Sequence, residues 1–470
     1  MRNVFVGVLY FCVQASCFAQ QLREEFTPEM LLKMVKENHP VSKQAELLKS
    51  KANAVVLKEK GQFDPYLYSE FSQKKFDDKE YYRFVNTALK VPTWFGADFK
   101  VGFDQSSGVY VNPEDQLPSS GLAYAGISMP VLQGLWVNER RVVLQQARIY
   151  QHYTAVEQRN ILNDLYYEAL QVYWEWFSAH QKLLIYTEAE KVAGQRFQFL
   201  KQSYLAGEHP AIDTLESFLQ LQSRSYSLIS AKAEYAKAIY ALNNFLWTQN
   251  DVPLELGENV VPVVIKSFPE NEGLISEGLI QLMDSIVQRH PAVQSYAFKQ
   301  QQLELEQKWK LEKMKPKLNL NYNLLTYSFN SPEAFNISPN NYKVGVDFSF
   351  PVFLRRERGD LRLTNLKIQE TEWQLKQKVL EQKNKINQYH ADLKYLSQQR
   401  QLFSSMVSNY EAMLNAERSK FDNGESFLFL INTRELSLID SQLKLVDITA
   451  KLYKTKAGYL WAIGDLCNGI

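Results

Sequence analysis

The sequence has 470 residues, with 53 Lys plus Arg against 52 Asp plus Glu, so its formal net charge is +1. A balanced charge gives no long-range attraction to a polyanion, which argues against a nucleic-acid-binding protein. The charged residues are scattered along the chain, as is typical of solvated helix faces.

The N-terminus has the features of a secretory signal. Arg2 precedes an apolar run over Val4–Val13, and Cys17 and Ala19 form a small-x-small site. This order predicts a signal peptide at residues 1–19. The apolar run is too short to span a bilayer as a helix.

Lipidation of Cys17 is an open alternative to cleavage after Ala19. Gln14 argues against it, because a lipidation motif has a bulky apolar residue at that position. Cleavage after Ala19 would leave Cys467 as the one cysteine. The sequence then predicts no disulfide framework and no cysteine-based metal site.

The mature chain contains two copies of one pattern. His39-Pro40 and His290-Pro291 both lie in helical sequence, and each proline is followed 25 residues later by another that precedes a strand. Two further pairs of landmarks occur in the same order: Ile127-Ser128-Met129-Pro130-Val131 with Phe348-Ser349-Phe350-Pro351-Val352, and Tyr204-Leu205-Ala206-Gly207-Glu208 with Phe421-Asp422-Asn423-Gly424-Glu425. This repetition predicts a duplicated unit. We place the copies at 20–250 and 275–466, with a linker at 251–274.

The strands of the second copy alternate cleanly. Leu318–Leu324 and Tyr342–Phe350 place apolar side chains on one sheet face and polar side chains on the other. The alternation fits a lipid-facing barrel strand and a half-buried strand of a soluble sheet equally well. No stretch of the mature chain has eighteen consecutive apolar residues, as a transmembrane helix would need.

The first copy is expected to hold its strands within 65–130. Tyr66–Phe71 and Gly121–Met129 are the outer members, and Tyr81–Val91 and Phe95–Phe103 are possible extra strands. About 30 additional residues separate its landmark prolines compared with the second copy. The sequence leaves open whether they add strands or form a loop.

Long tracts without glycine or proline predict two helical hairpins, at 135–248 and 355–464. A helix from Leu135 to about Tyr204 would be about 105 Å long at 1.5 Å per residue. Apolar residues recur at coiled-coil spacing in both copies. The seam of the second copy is Ile386, Tyr389, Leu393, Leu396, Arg400, Phe403, Val407, Tyr410 and Leu414, and that of the first is Leu162, Tyr166, Ala169, Tyr173, Phe177, His180 and Leu184.

No catalytic or cofactor-binding motif is present. The chain has no phosphate-binding glycine loop and no HExxH, and its six histidines are scattered without metal-ligand spacing. We therefore predict that the protein is not an enzyme, and that it has no cofactor and no metal site.

Taken together, these landmarks resemble those of the TolC-type outer-membrane efflux channels. The resemblance covers nearly the whole mature chain and depends on the order and duplication of motifs that are weak singly. It implies a mostly α fold with β, in which long helical hairpins form a periplasmic α-barrel. Each protomer of a homotrimer would add four strands to a β-barrel of about twelve in the outer-membrane lipid of a Gram-negative bacterium.

The resemblance also implies where partners bind. The two turns would form a periplasmic tip that contacts a periplasmic adaptor protein, which is bound in turn to an inner-membrane pump. The tip residues are Tyr204, Gly207, Glu208, Phe421, Gly424 and Glu425.

A gate of acidic residues would lie six and nine residues after each turn glycine. These positions are Asp213 and Glu216 in the first copy but Leu430 and Thr433 in the second, so this gate would be acidic in one copy only. An alternative role for both carboxylates is to interact favourably with the dipole of the returning helix.

The function expected from this resemblance is that of a passive exit duct for an efflux or type I secretion system, driven by the partner pump. The cargo is left open between small molecules and polypeptides. The alternative, from another class, is a secreted or surface-attached coiled-coil scaffold or adhesin without a channel.

Overall fold

The computed structural model describes residues 24–207, 209–257, 259–263, 283–327 and 338–466. Several predicted features lie outside the described residues: the signal peptide at 1–19, Cys17, Glu208, Cys467 and the linker residues 264–274. The predictions that fall on these positions stay predictions.

The chain runs through the same order of elements twice. The first copy comprises β1 Glu24–Phe26, α1 Pro28–Asn38, α2 Pro40–Lys60, β2 Tyr66–Phe76, β3 Lys79–Pro92, β4 Asp98–Ser107, β5 Leu122–Pro130, α3 Glu139–Leu205 and α4 Ala211–Asn243. The second comprises β6 Val260–Pro262, α5 Met283–Arg289, α6 Pro291–Glu312, β7 Lys317–Tyr327, β8 Tyr342–Ser349, α7 Arg355–Asp422 and α8 Leu428–Ile463. The predicted fold class, mostly α with long hairpins and a sheet, is confirmed.

The duplicated His-Pro motif is a duplicated helix cap. His39 Nδ1 accepts a hydrogen bond from Val41 N at 3.2 Å, and His290 Nδ1 accepts one from Ala292 N at 3.2 Å. The proline that follows each histidine is the first residue of its helix, where its missing N–H costs nothing. The sequence repeat therefore encodes two identical helix starts.

His290 is expected to make the protein sensitive to acid. Desolvation lowers its pKa to about 4, and the Trp461 carbonyl, 3.4 Å from Nε2, opposes this only in part. The unfolded chain would take up the proton near pH 6.5, so the stabilisation is complete above that pH and is lost as the pH falls towards 4. The loss would reach about 3 kcal/mol per copy.

The check is a His290→Asn variant, which keeps a capping side chain but does not titrate in this range. Thermal denaturation from pH 7 to pH 4 should show a shallower loss of stability than in the wild type. Exposed His152 offers a control, since His152→Asn should retain the wild-type acid profile. An unchanged profile in His290→Asn would contradict the prediction.

The long helices α3 and α7 contain 67 and 68 residues. Each is therefore about 100 Å long. The centre of α3 packs through an aromatic cluster in which Trp176, Tyr166 and Tyr173 are fully buried. No helix in the described ranges is long and apolar enough to cross a membrane.

The predicted seams are the packed sides of these helices. Ile386, Leu393, Leu396 and Leu414 of α7 are buried, as the coiled-coil spacing predicted. The first seam is buried or half-buried except at Leu184, where the side chain is 41% exposed and the prediction was wrong. The next buried residues of α3 after this point include Ala189, Ala193 and Leu200, which at 3.6 residues per turn lie on the opposite side of the helix from the seam.

A short parallel sheet of β1 and β6 lies against the middle of α3. The hydroxyl of Tyr173 donates to Phe26 O at 2.6 Å and accepts from Val263 N at 3.3 Å, so it ties both strands to the helix. The end of the described part of the predicted linker, at β6 and Val263, therefore packs against the helical body.

The main sheet has six antiparallel strands in the order β2-β3-β4-β5-β7-β8. The expectation of four strands per protomer was therefore wrong. The additional residues of the first copy form β3 and β4, because they continue the alternation of apolar and polar side chains. The turn between β2 and β3 is made by Asp77 and Asp78, which both adopt the positive φ that a two-residue hairpin turn requires.

Candidate functional site

One face of the six-stranded sheet is apolar over its whole width. Residues paired across antiparallel strands point to the same side, so the registers define this face. It comprises Leu67 and Phe71 of β2; Val85, Leu89 and Val91 of β3; Phe99, Val101 and Phe103 of β4; Ala123, Ala125, Ile127 and Met129 of β5; Leu318, Leu320, Tyr322 and Leu324 of β7; and Tyr342, Val344, Val346 and Phe348 of β8. We call this set the apolar face.

Large side chains of the apolar face are exposed on the surface of the single chain. Leu67, Val346 and Phe348 are 71%, 62% and 67% exposed. Monomeric soluble proteins rarely leave so large a contiguous apolar surface uncovered. Two hydroxyls within it, Ser69 Oγ and Thr87 Oγ1, lie 2.8 Å apart and satisfy each other across the strands.

The opposite face, here the polar face, carries charged, amide and tyrosine side chains. Asn321 Nδ2 donates to Asp347 Oδ2 at 2.6 Å, and Asn86 Nδ2 donates to Asp104 Oδ1 at 2.6 Å. Lys343 of β8 also points to this side. A sheet that is apolar outside and polar inside has the pattern of a transmembrane barrel wall.

An ionic joint fixes this sheet to the long helices. Asp98 at the start of β4 lies 2.8 Å from Arg140 of α3 and 2.9 Å from Lys90 of β3. Asn138, the cap of α3, donates to Trp94 O at 3.2 Å. The sheet is therefore held at one end of the helical rods.

Aromatic side chains occur at both ends of the strands. Trp94 lies at the helix-proximal end, 5.6 Å from Phe63 between ring centroids. Tyr81 and Tyr110 lie at the opposite end, 4.8 Å apart, and Tyr82 is close by in β3. Aromatic residues of this kind are enriched where a barrel meets the two membrane interfaces.

At the far end of the rods, each hairpin turns at a glycine. Gly207 and Gly424 have φ of +82° and +75°, a left-handed conformation that disfavours any residue with a Cβ. Their N–H groups donate to Tyr204 O at 3.0 Å and to Phe421 O at 2.9 Å, so the two turns are built alike. Tyr204 and Glu425 are exposed, whereas Phe421 is half-buried.

Alanine at Gly207 or Gly424 is expected to destabilise its turn by about 1 kcal/mol through φ alone. An added Cβ would contact nothing within 4 Å at either position, so steric clashes do not contribute. Gly359 of α7 is the matched control, because it is helical and equally open. Gly359→Ala should stabilise the protein by about 0.5–1 kcal/mol. The measurement is the denaturation midpoint of each variant, and a shift in the same direction for Gly359→Ala and the two turn variants would contradict this prediction.

Asp213 and Glu216 lie in the first two turns of α4, and both are half-buried. Asp213 Oδ2 is 3.3 Å from His209 Nδ1. Glu216 Oε1 accepts a hydrogen bond from Asn432 Nδ2 at 3.0 Å, which joins the first hairpin to the second. Both carboxylates therefore have partners within one chain.

An ion pair that the sequence did not predict lies beside Glu216. Arg196 of α3 makes a bidentate contact with Glu435 of α8, at 2.8 and 2.9 Å, and donates to Asn432 Oδ1 at 2.9 Å. Both ionic side chains are almost fully covered. No local pattern marks this pair, because its members are 239 residues apart.

The tip also exposes apolar side chains that were not predicted as contact residues from the sequence. Leu205 and Phe427 are both 76% exposed, and Ile212, Leu215 and Phe429 are exposed beside them. Within the described residues, no group of three or more His, Cys, Asp or Glu is placed to hold a metal ion. Among the described residues, the far end of the rods therefore offers an apolar contact surface.

The fold matches solved outer-membrane channels. The open-state MtrE channel of Neisseria gonorrhoeae has a TM-score of 0.68 at 12% identity over 93% of this chain and 88% of that one. The CmeC channel of Campylobacter jejuni has 0.66 at 12% over 99% and 94%, and the channel-forming CusC has 0.65 at 15% over 93% and 91%. No family model and no curated protein matches the sequence. The chain therefore has the fold of the TolC-type outer-membrane channels.

Proposed function

We propose that this protein is a passive exit duct of the outer membrane that extends through the periplasm. Three copies would enclose a channel whose wall is the six-stranded sheet in lipid and the long hairpins below it. The observation that carries the proposal is the exposed apolar face, joined through Asp98 and Arg140 to helices of about 100 Å. The sequence has no phosphate-binding glycine loop, so we expect the energy to come from an inner-membrane pump.

The tip is proposed to contact a periplasmic adaptor protein. The two matching turns at Gly207 and Gly424 place the exposed Leu205 and Phe427 at the end of the rods. Exposed apolar side chains of this kind are typical of protein contact sites. The adaptor would link this end of the duct to the pump.

The proposal is tested by membrane fractionation and gel migration. The protein should require detergent for extraction from the outer membrane. Unheated samples should migrate as a compact trimer and heated samples as a chain of 54.6 kDa, less any signal peptide. A protein that is soluble without detergent would favour the coiled-coil scaffold or adhesin instead.

Asp213 and Glu216 are proposed to form a single acidic ring in the trimer's closed tip. Rings of carboxylates favour cations in a narrow pore. An Asp213→Asn, Glu216→Gln variant should lose cation selectivity and block by divalent cations in single-channel recordings. Asp440→Asn, an exposed acid elsewhere in α8, is the control. Unchanged selectivity and block in the double variant would remove the gate.

A further inference from the structure

We infer that three copies of this chain close an eighteen-stranded barrel, in which the free edge of β2 pairs with the free edge of β8 of the next copy. The inference rests on the proposed function for the number of copies. The structure supplies the number of strands, their faces and the two edges that remain open.

Both edges of the six-stranded sheet lack a partner within the described part of the chain. β2 hydrogen-bonds only to β3, and β8 only to β7. In lipid an unpaired edge costs several kcal/mol per backbone group, so a membrane sheet must close. The chain has no further described strand that pairs with either edge, which leaves another copy as the occupant.

The directions of the two edge strands suit this pairing. Neighbouring strands of the sheet are antiparallel throughout, so the strand direction alternates from one strand to the next. β2 and β8, first and last of six, therefore run in opposite directions. Joining them between copies continues the antiparallel order around the ring.

The side-chain faces also match across the joint. On β2 the polar face holds even-numbered residues such as Glu70 and Ser72, and on β8 it holds odd-numbered ones such as Lys343 and Asp347. A closed wall therefore needs even-numbered residues of β2 opposite odd-numbered residues of β8. A slip by one residue would turn one strand's apolar side chains into the lumen.

The hairpin of β3 and β4 belongs to the wall and is not an appendage. Val101 of β4 lies opposite Leu89 of β3 and Ala125 of β5, so the apolar face crosses these strands without interruption. On the other side, Gly102 accommodates the Tyr124 ring, since a Cβ there would lie 2.6 Å from it. Both strands are hydrogen-bonded on each side.

Six strands per copy widen the membrane pore. With strands about 4.8 Å apart and tilted by about 40°, eighteen strands give a backbone diameter of about 36 Å, against about 24 Å for twelve. Barrels of sixteen to eighteen strands enclose an open aqueous channel. The membrane end of the duct would then not limit cargo size, and selection would fall to the helical tip.

Disulfide cross-linking in outer membranes tests the joint, in a Cys467→Ser background. Ser72→Cys in β2 is combined in turn with cysteine at Lys343, Gly345 or Asp347 in β8. At least one combination should give a ladder of dimers and trimers on non-reducing gels. Val344→Cys and Val346→Cys, which face the other side, should give none with Ser72→Cys.

A second series places cysteine at Lys100 of β4 with the same β8 positions. This series should give no cross-links, because β4 is already paired on both sides. Cross-links from Lys100 but not from Ser72 would show that β4 forms the edge, and would overturn the inference.

Electron cryo-microscopy of the detergent-extracted protein counts the strands directly. Eighteen strands in a trimer support the inference. A trimeric membrane barrel of twelve strands would overturn it while leaving the proposed function intact. A protein that neither enters the membrane nor forms trimers would overturn the proposed function and the closure with it.

Discussion

Replacing Glu435 with Gln is expected to destabilise the helical hairpins by about 3 kcal/mol, the lower end of the range for breaking a buried ion pair. The substitution keeps the shape of the side chain but removes the carboxylate charge from Arg196 and from the more exposed Arg418, which lies 3.5 Å from Glu435. Arg196 is 15% exposed at its side chain and Glu435 is 9% exposed, so water replaces little of the lost interaction. The remaining bond from Arg196 to Asn432 limits the loss.

A matched control joins the same two helices. Lys182 of α3 and Asp447 of α8 lie 2.6 Å apart, but their side chains are 34% and 56% exposed. Asp447→Asn should therefore cost less than about 1 kcal/mol, as exposed ion pairs do. The comparison is the thermal denaturation of Glu435→Gln and Asp447→Asn in the same detergent. Equal shifts of the melting temperature in the two variants would contradict the prediction.

The double variant Arg196→Met, Glu435→Leu distinguishes the cost of leaving one charge unpaired from the contribution of the ion pair itself to the free energy of unfolding. Apolar replacement of both members of a buried pair is often neutral or stabilising. The double variant should accordingly be more stable than Glu435→Gln. A double variant that is less stable would show that the pair itself, and not the stranded charge, stabilises the contact between the hairpins.

The sequence predicted those parts of the fold in which the signal is local and repeated. Leu318–Leu324 alternates without exception, and the tracts without glycine or proline gave the long helices. The duplicated His39 and His290 were noticed as landmarks, but their role as caps became clear only from their contacts with Val41 and Ala292. A repeated motif thus showed where a helix begins before its chemistry was known.

The hairpin of β2 and β3 was harder to predict because these two strands alternate less cleanly. Gln73 and Arg83, which lie opposite each other on the apolar face, interrupt the alternation at the far ends of these strands. A single barrel strand also carries a weak sequence signal. One local signal was overlooked. Asp77-Asp78 is a two-residue turn between alternating segments, and aspartate tolerates the positive φ that such a hairpin turn requires better than most residues.

The contacts around Glu216 could not be predicted from spacing. Glu216 and Asn432 are 216 residues apart and meet only because the two hairpins pack side by side. A position six or nine residues after a turn glycine fixes where a carboxylate lies along its helix. It does not fix which neighbouring helix supplies its hydrogen-bond partner.

Val346→Arg is expected to impair insertion of the protein into the outer membrane. Val346 lies in the middle of β8 on the apolar face, opposite Leu320, and is 62% exposed. An arginine facing lipid near the middle of the membrane costs about 2–4 kcal/mol. In a trimer this cost arises three times, so both the amount of inserted protein and the heat-modifiable trimer band should fall.

The adjacent residue provides the control. Gly345 points to the polar face, where an added Cβ would meet only Asn321 Cβ at 3.9 Å. Gly345→Arg adds the same charge to the same strand but places it on the polar face, which is proposed to line the water-filled lumen, so insertion should be close to that of the wild type. Equal loss in both variants would mean that the two faces meet the same medium. In that case the sheet could not be a membrane wall, whatever the number of its strands.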